Sequence, residues 1–401
     1  MLNKKKKLLF SAYGGGHIKV LLPIVEELLQ TSDEFEPQVL AFTTARTDCR
    51  ARGIPCKTML DFSYLFPPEA IEIGKKLAEE LPYKAIDFEE SAAYLGISFS
   101  ELSEELGYDA ACKAYNEKGR SIFCPVKAME KILTELKPSI LITTNSPRCE
   151  MALLKAASNL GIPSICVVDF YINKTASWLA EDWCGKRICV LDKFVEQQLI
   201  NIGRNPEHIV ITGNPAFDHY GKEISLEKAN KYRKDNIANH KRLIAYASTS
   251  WIESTDTNDK LLKNDILDFL IKECTRLGYI LSHRQHPGEP RTQRPSGVLN
   301  GNDVPLETFM SSADLIITFP STIIYEGRVL GIPTLALGMS ELVKQSNYLI
   351  AGNYKIVYNF QEIREILESL KEIDEYSNRK LSSFNKATDL VIEEIKKIAC
   401  N

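Results

Sequence analysis

The sequence predicts an α/β protein of two Rossmann-like domains facing a central cleft, with a helical insertion in the first. Three observations carry that prediction. Short apolar runs alternate with amphipathic segments, the pattern of a parallel sheet covered by helices. The chain has 401 residues, too many for one ordinary domain and comfortable for two. A polar, lysine-rich stretch over 222–241, entered through Gly213-Asn214-Pro215, carries no strand signal and separates two such series.

Taken in order, residues 7–12 read as a first buried strand, followed by a glycine loop and a helix over 17–30. In that helix Val20, Ile24 and Leu28 recur at four-residue steps and share one face. Further strands are expected at 38–42, 140–143, 164–169, 187–191 and 208–212, with helices at 151–160 and 193–202. The segment 62–120 is helical in pattern and interrupts the series. The second series opens with a strand at 242–247 and a helix at 260–277. Strands at 279–284 and 315–319, a helix from Thr322 and a strand at 334–337 follow. The expected division is 1–221, 222–377, and a C-terminal helix within 378–401 that returns to the first domain.

Composition excludes several classes. Hydrophobic residues make up 44% and charged residues 25%, which rules out a disordered or low-complexity chain. The net charge of −4 provides no basic field to attract nucleic acid. No apolar run approaches the roughly 18 residues that span a bilayer. The Lys4–Lys7 run resembles the start of a signal peptide, but its apolar stretch stops at Ser11 and meets three glycines. At most a weak peripheral contact with an anionic membrane is expected. The ten cysteines form no Cys-x-x-Cys pair, and no paired histidines suggest zinc, so reduced cytoplasmic thiols are expected.

Chemistry-bearing residues fall at strand ends. Gly14-Gly15-Gly16 would let a ligand approach the backbone, and the helix that follows presents free N–H groups at Gly15 and Gly16 to an anion. A tight turn is the plain alternative. His17, near neutral when unperturbed, can accept a hydroxyl proton. Asp169, Asn145 and Ser146 end neighbouring strands and should border the same site. In the second half, Arg284 and His286 follow a strand and suit phosphate, although a polar surface turn is equally compatible. Ser321 and Thr322 lie at a strand-to-helix junction where hydroxyls and backbone N–H groups can hold phosphate. Glu326, about one turn on, could accept both hydroxyls of a ribose. Thr249, Ser250 and Trp251 follow the strand at 242–247 and could reach phosphate or base, or simply cap a turn. Glu289 reads as an ordinary loop carboxylate.

These motifs resemble the GT-B glycosyltransferases and their relatives, the hydrolysing nucleotide-sugar 2-epimerases, over most of both domains except 62–120. Tyr13-Gly14-Gly15-Gly16-His17 is similar to the glycine-His loop of the lipid II-forming N-acetylglucosaminyltransferase. Ile211-Thr212-Gly213-Asn214-Pro215 is similar to the turn that closes the first domain in the group. Ala313-Asp314-Leu315-Ile316-Ile317-Thr318 with Ser321, Glu326, Gly331 and Pro333 resembles the donor site. The resemblance implies diphosphate contacts at Ser321-Thr322 and a ribose contact at Glu326. His286-Pro287 with Ser321-Thr322 also resembles motifs of bacterial sialyltransferases, which use a CMP-sugar, although their acidic motif is not evident. The chain departs from the epimerases in its Gly-Gly-Gly-His loop. It also has Thr143-Thr144-Asn145 where they carry an acid, and Pro320-Ser321-Thr322 where they carry paired glycines.

The expected activity is metal-independent transfer of a sugar from a UDP- or CMP-sugar to a hydroxyl of a glycan or glycolipid, in bacterial-type surface glycan or glycoconjugate synthesis. The nucleotide-sugar is a substrate, and no cofactor is expected. His17 or Asp169 would take the acceptor proton. Epimerisation or hydrolysis on the same fold is the alternative, and a chemically silent binding subunit is the third reading.

Overall fold

The computed structural model describes residues 5–81, 86–172, 174–220, 223–237, 241–249, 257–286, 289, 295–340, 343, 354–370 and 386–400. Ser250, Trp251, Pro287 and Gly288 lie outside the described residues. The chain divides into one unit of Met1–Asp218 with Asn385–Asn401, and a second of His219–Phe384.

The first unit is built on six parallel strands: β1 (Lys6–Tyr13), β2 (Phe35–Phe42), β3 (Ile140–Thr143), β4 (Ser164–Val167), β5 (Arg187–Val190) and β6 (Ile209–Ile211). They lie in the order β2-β1-β3-β4-β5-β6. A parallel sheet covered on both faces needs unbroken apolar strands, and from Leu8 to Tyr13 every residue of β1 is buried. The helix Gly16–Thr31 buries more than the single stripe its spacing predicts. Ile18, Leu21, Leu22 and Val25 are buried along with Val20, Ile24 and Leu28. The reason is the C-terminal helix Ala387–Cys400, whose Val391, Ile392, Ile395 and Ile398 join the same core. Asp218 fixes the start of that helix by accepting from the N–H groups of Ala387 and Thr388 at 2.9 and 2.8 Å.

The insertion consists of a 3-10 turn Met59–Leu65 and the helices Pro68–Glu79, Phe88–Leu106 and Tyr108–Lys118. Asp87 caps the second of these helices through the N–H groups of Glu89 and Glu90. Gly74 and Gly96 let the first two helices touch backbone to backbone. A Cβ on Gly74 would lie 1.9 Å from the Ala92 carbonyl oxygen, and one on Gly96 1.9 Å from that of Ala70.

The second unit carries β7 (Leu243–Ala247), β8 (Ile280–Arg284), β9 (Val298–Asn300), β10 (Leu315–Thr318), β11 (Thr334–Leu337) and β12 (Lys355–Val357). They are also parallel, in the order β12-β11-β10-β7-β8-β9. The segment expected to lack strands forms the helix Glu223–Asn236. Its Arg233 bonds the Ser312 carbonyl and the buried Asp314 carboxylate at 2.6 and 2.9 Å, which ties the helix to the start of β10.

Candidate functional site

In the first unit, the carboxyl ends of β1, β3, β4 and β6 bring four loops together. Gly15 follows β1 at φ 74° and starts the helix Gly16–Thr31 with no side-chain cap and no acid in its first turn. Gly16 faces the loop after β4, where an added Cβ would lie 3.9 Å from Asp169 Oδ2. His17 Nδ1 lies 2.9 Å from Thr144 Oγ1 and 3.3 Å from Asp169 Oδ2. Both His17 and Asp169 remain about a quarter exposed, so solvent and ligands reach them.

Behind Thr144 stands a residue the sequence reading overlooked. Glu150 is fully buried, and its carboxylate accepts from Thr144 Oγ1 at 2.5 Å, the Ser146 N–H at 3.1 Å and the Tyr13 N–H at 2.8 Å. Burial pushes its pKa up, opposed by the His17 charge and by these three donors. Because Thr144 gives its single proton to Glu150, its oxygen can only accept from His17. The ring proton therefore sits on Nδ1, and Nε2 keeps its lone pair with no partner among the described residues. The one sequence signal for Glu150 was an acid in an otherwise apolar run, Met151-Ala152-Leu153-Leu154. The loop after β4 is pinned on both sides. Asn145 Oδ1 accepts from the Asp169 N–H at 3.0 Å, and Asn214 Nδ2 donates to the Asp169 carbonyl at 2.6 Å.

The second unit gathers a different set. Ser321 occupies the N-cap position of the helix Thr322–Val329 in extended backbone without capping it, and its buried hydroxyl has no partner among the described residues. Thr322 is exposed beside it. Glu326 is buried, and the Tyr220 hydroxyl bonds to it. Burial and that carboxylate drive the Tyr220 pKa well up. Arg284 spends Nη1 on the carbonyls of Gly301 and Val304 at 2.5 and 2.7 Å, so it braces the loop after β9. Burial lowers its pKa.

Glu289 is not an ordinary loop carboxylate. It is buried and accepts from Ser248 Oγ at 2.6 Å and the His286 N–H at 2.9 Å. His283 Nε2 lies 3.2 Å from Ser248 Oγ and its ring stacks on Tyr246 at 5.2 Å. Glu289 thus anchors the loop that carries His286. Among the described residues no helix is long and apolar enough to cross a membrane.

The two six-stranded parallel sheets are the GT-B architecture. The solved UDP-GlcNAc 2-epimerase of Neisseria meningitidis, bound to UDP-GlcNAc, superposes with a TM-score of 0.59 at 14% identity, over 98% of this chain and 100% of that one. The glycotransferase of kitacinnamycin superposes with a TM-score of 0.58 at 12% identity, over 98% and 99%. At such identity the likeness concerns the fold. By sequence, the chain belongs to the DUF354 family, described as proteins of unknown function, whose model matches residues 116–400. A curated relative, the processive diacylglycerol beta-glucosyltransferase of Bacillus pumilus (strain SAFR-032), is 22% identical over 248 residues. The match takes in 60% of this chain and 53% of the relative, so the chain spans about half the length of that protein.

Proposed function

We propose that this protein is a glycosyltransferase that moves a sugar from a nucleotide-sugar, of the UDP or CMP class, to a hydroxyl acceptor. The observation that carries the reading is the hold on His17. Thr144 and Asp169 occupy Nδ1, which leaves Nε2 as an accessible base. As the acceptor oxygen attacks the anomeric carbon, Nε2 takes its proton, and the sugar–phosphate bond breaks with its electron pair leaving on the nucleotide. The imidazolium formed is stabilised by the Asp169 carboxylate beside it. In the second unit, the uncapped start of the helix Thr322–Val329, with Ser321 and Thr322, would receive the diphosphate, and no resident metal is required for that charge. Glu326 would receive the ribose, sharing its carboxylate with Tyr220. Ser250 and His286 remain proposed nucleotide contacts.

The names of the relatives support this reading: one is a glucosyltransferase with a lipid acceptor, and another holds a UDP-sugar. A role in glycan or glycolipid synthesis at the cytoplasmic face of a membrane is consistent with them. Glu150 does not replace the acid that the epimerases carry near Thr144, because it is sealed behind the threonine and cannot touch substrate.

NMR-monitored incubation with UDP-, CMP- and GDP-sugars tests the proposal. Transfer requires an added acceptor, whereas epimerisation or hydrolysis proceeds without one. His17→Ala should slow transfer by about 10²–10⁴ while nucleotide binding persists. Near-normal turnover in His17→Ala with loss in Asp169→Asn would pass the role of base to Asp169.

A further inference from the structure

The helical insertion and the carboxyl end of β2 line an open pocket that, counted with the solvent at its mouth, spans about 410 Å³. Phe42, Met59, Ile86 and Leu95 give it an apolar body. Its polar end is unbalanced. Glu90 is already paired with Arg46. Arg120 is half-buried in the same lining, and its guanidinium makes no hydrogen bond or ion pair with a described residue, which leaves one positive charge uncompensated. Burial pushes the Tyr94 and Tyr115 hydroxyls up in pKa, and the Arg120 charge beside them works the other way. A guanidinium held in a partly apolar pocket whose one lining carboxylate is paired with another arginine suits an anion arriving from outside.

We propose that this pocket binds an acidic amphiphile, with its apolar chain among Phe42, Met59 and Leu95 and its phosphate or carboxylate on Arg120. The pocket adjoins the His17 loop. Tyr94 in its wall shares a hydrogen bond of 3.0 Å with the hydroxyl of Tyr13, and Thr43 Oγ1 accepts from the Gly14 N–H at 3.4 Å. Its natural occupant is therefore the anchoring part of the acceptor, an assignment that rests on the transfer reading, whereas binding itself does not. Every lining residue except Arg120 precedes the span matched by the family, so the pocket is where this chain's own acceptor preference would be set.

The test is isothermal titration of the full chain, with no donor present, using octyl phosphate, octanoate and octanol. At least one of the two anions should bind ten times or more tighter than octanol, and the stronger of the two identifies the headgroup. Arg120→Gln should erase that margin, and Arg120→Lys should keep most of it, which controls for folding. In a hexyl-to-octyl series of the stronger headgroup, each methylene should tighten binding about fourfold. The proposal is overturned if octanol binds equally well, if Arg120→Gln leaves the anion affinity unchanged, or if no saturable binding occurs below about 1 mM. Amphiphile binding with no transfer from any donor would instead tell against the transfer reading. His17-dependent transfer to uncharged acceptors, with no binding here, would sink the pocket alone.

Discussion

Replacing Glu150 by Gln tests the buried support of His17 with a change of one atom. The carboxylate accepts three hydrogen bonds in a fully buried setting, one on Oε1 from Tyr13 and two on Oε2 from Thr144 and Ser146. An amide retains one accepting oxygen, so in either orientation its NH2 faces a backbone N–H that has lost its acceptor. Such a group costs about 1–3 kcal/mol, and urea unfolding should show a loss of that size. If the amide nitrogen faces Thr144, the hydroxyl turns to accept from it and donates to His17 Nδ1 instead. The ring proton then moves to Nε2, and turnover falls with it. Nitrogen-15 spectra of labelled histidine report the tautomer directly. The effect also depends on pH. Burial raises the Glu150 pKa above the ordinary 4.5, so the folded chain binds the extra proton more tightly. Its contribution relative to Gln is fully present below that ordinary value and declines as pH rises through the folded one. An unfolding free energy of Glu150→Gln equal to the parent at every pH would refute the reasoning, because no orientation of the amide satisfies all three donors.

Three further outcomes are expected. Glu326→Ala should cost about 1–3 kcal/mol of stability by stranding the Tyr220 hydroxyl, and at least tenfold in nucleotide affinity. Adding Tyr220→Phe should restore stability but not affinity, and restored affinity would remove Glu326 from the donor site. Gly74→Ala should lower the urea midpoint by the equivalent of about 1–3 kcal/mol, since its Cβ would lie 1.9 Å from the Ala92 carbonyl oxygen and backbone cannot yield as a side chain does. Cys56 should be alkylated by iodoacetamide with a midpoint near pH 7, because a hydrogen bond from Cys49 and the charges of Arg46 and Arg50 lower its thiol to about 7. Cys49, pushed up by the same pair, should stay unlabelled there, as mapped by mass spectrometry.

The sequence alone determined the features that depend on neighbours along the chain. Apolar runs of β1, β3 and β10 must be strands buried on both faces, and Gly14-Gly15-Gly16 before an apolar helix must be a turn that exposes the helix start. His17, Asp169, Ser321 and Thr322 could be placed beyond the carboxyl ends of strands, because each lies within four residues of a strand's last residue. Short strands such as Val298–Asn300 and Lys355–Val357 escaped notice, since three residues establish no periodicity. Tertiary structure decided what joins distant segments. Glu150 reaches the Tyr13 N–H across 137 residues, and only there does its burial convert an unremarkable helix acid into the group that orders Thr144 and His17. Arg284 reads as a phosphate ligand from its position at the end of β8, and only the tertiary structure shows that its Nη1 also holds two backbone carbonyls of the loop after β9. Glu289 reads as solvated, yet burial and two donors make it an anchor. The physical reason is common to all three. A charged side chain is fixed by whichever partners desolvation leaves within its reach, and those partners are chosen by packing across the sheet, which no local pattern encodes.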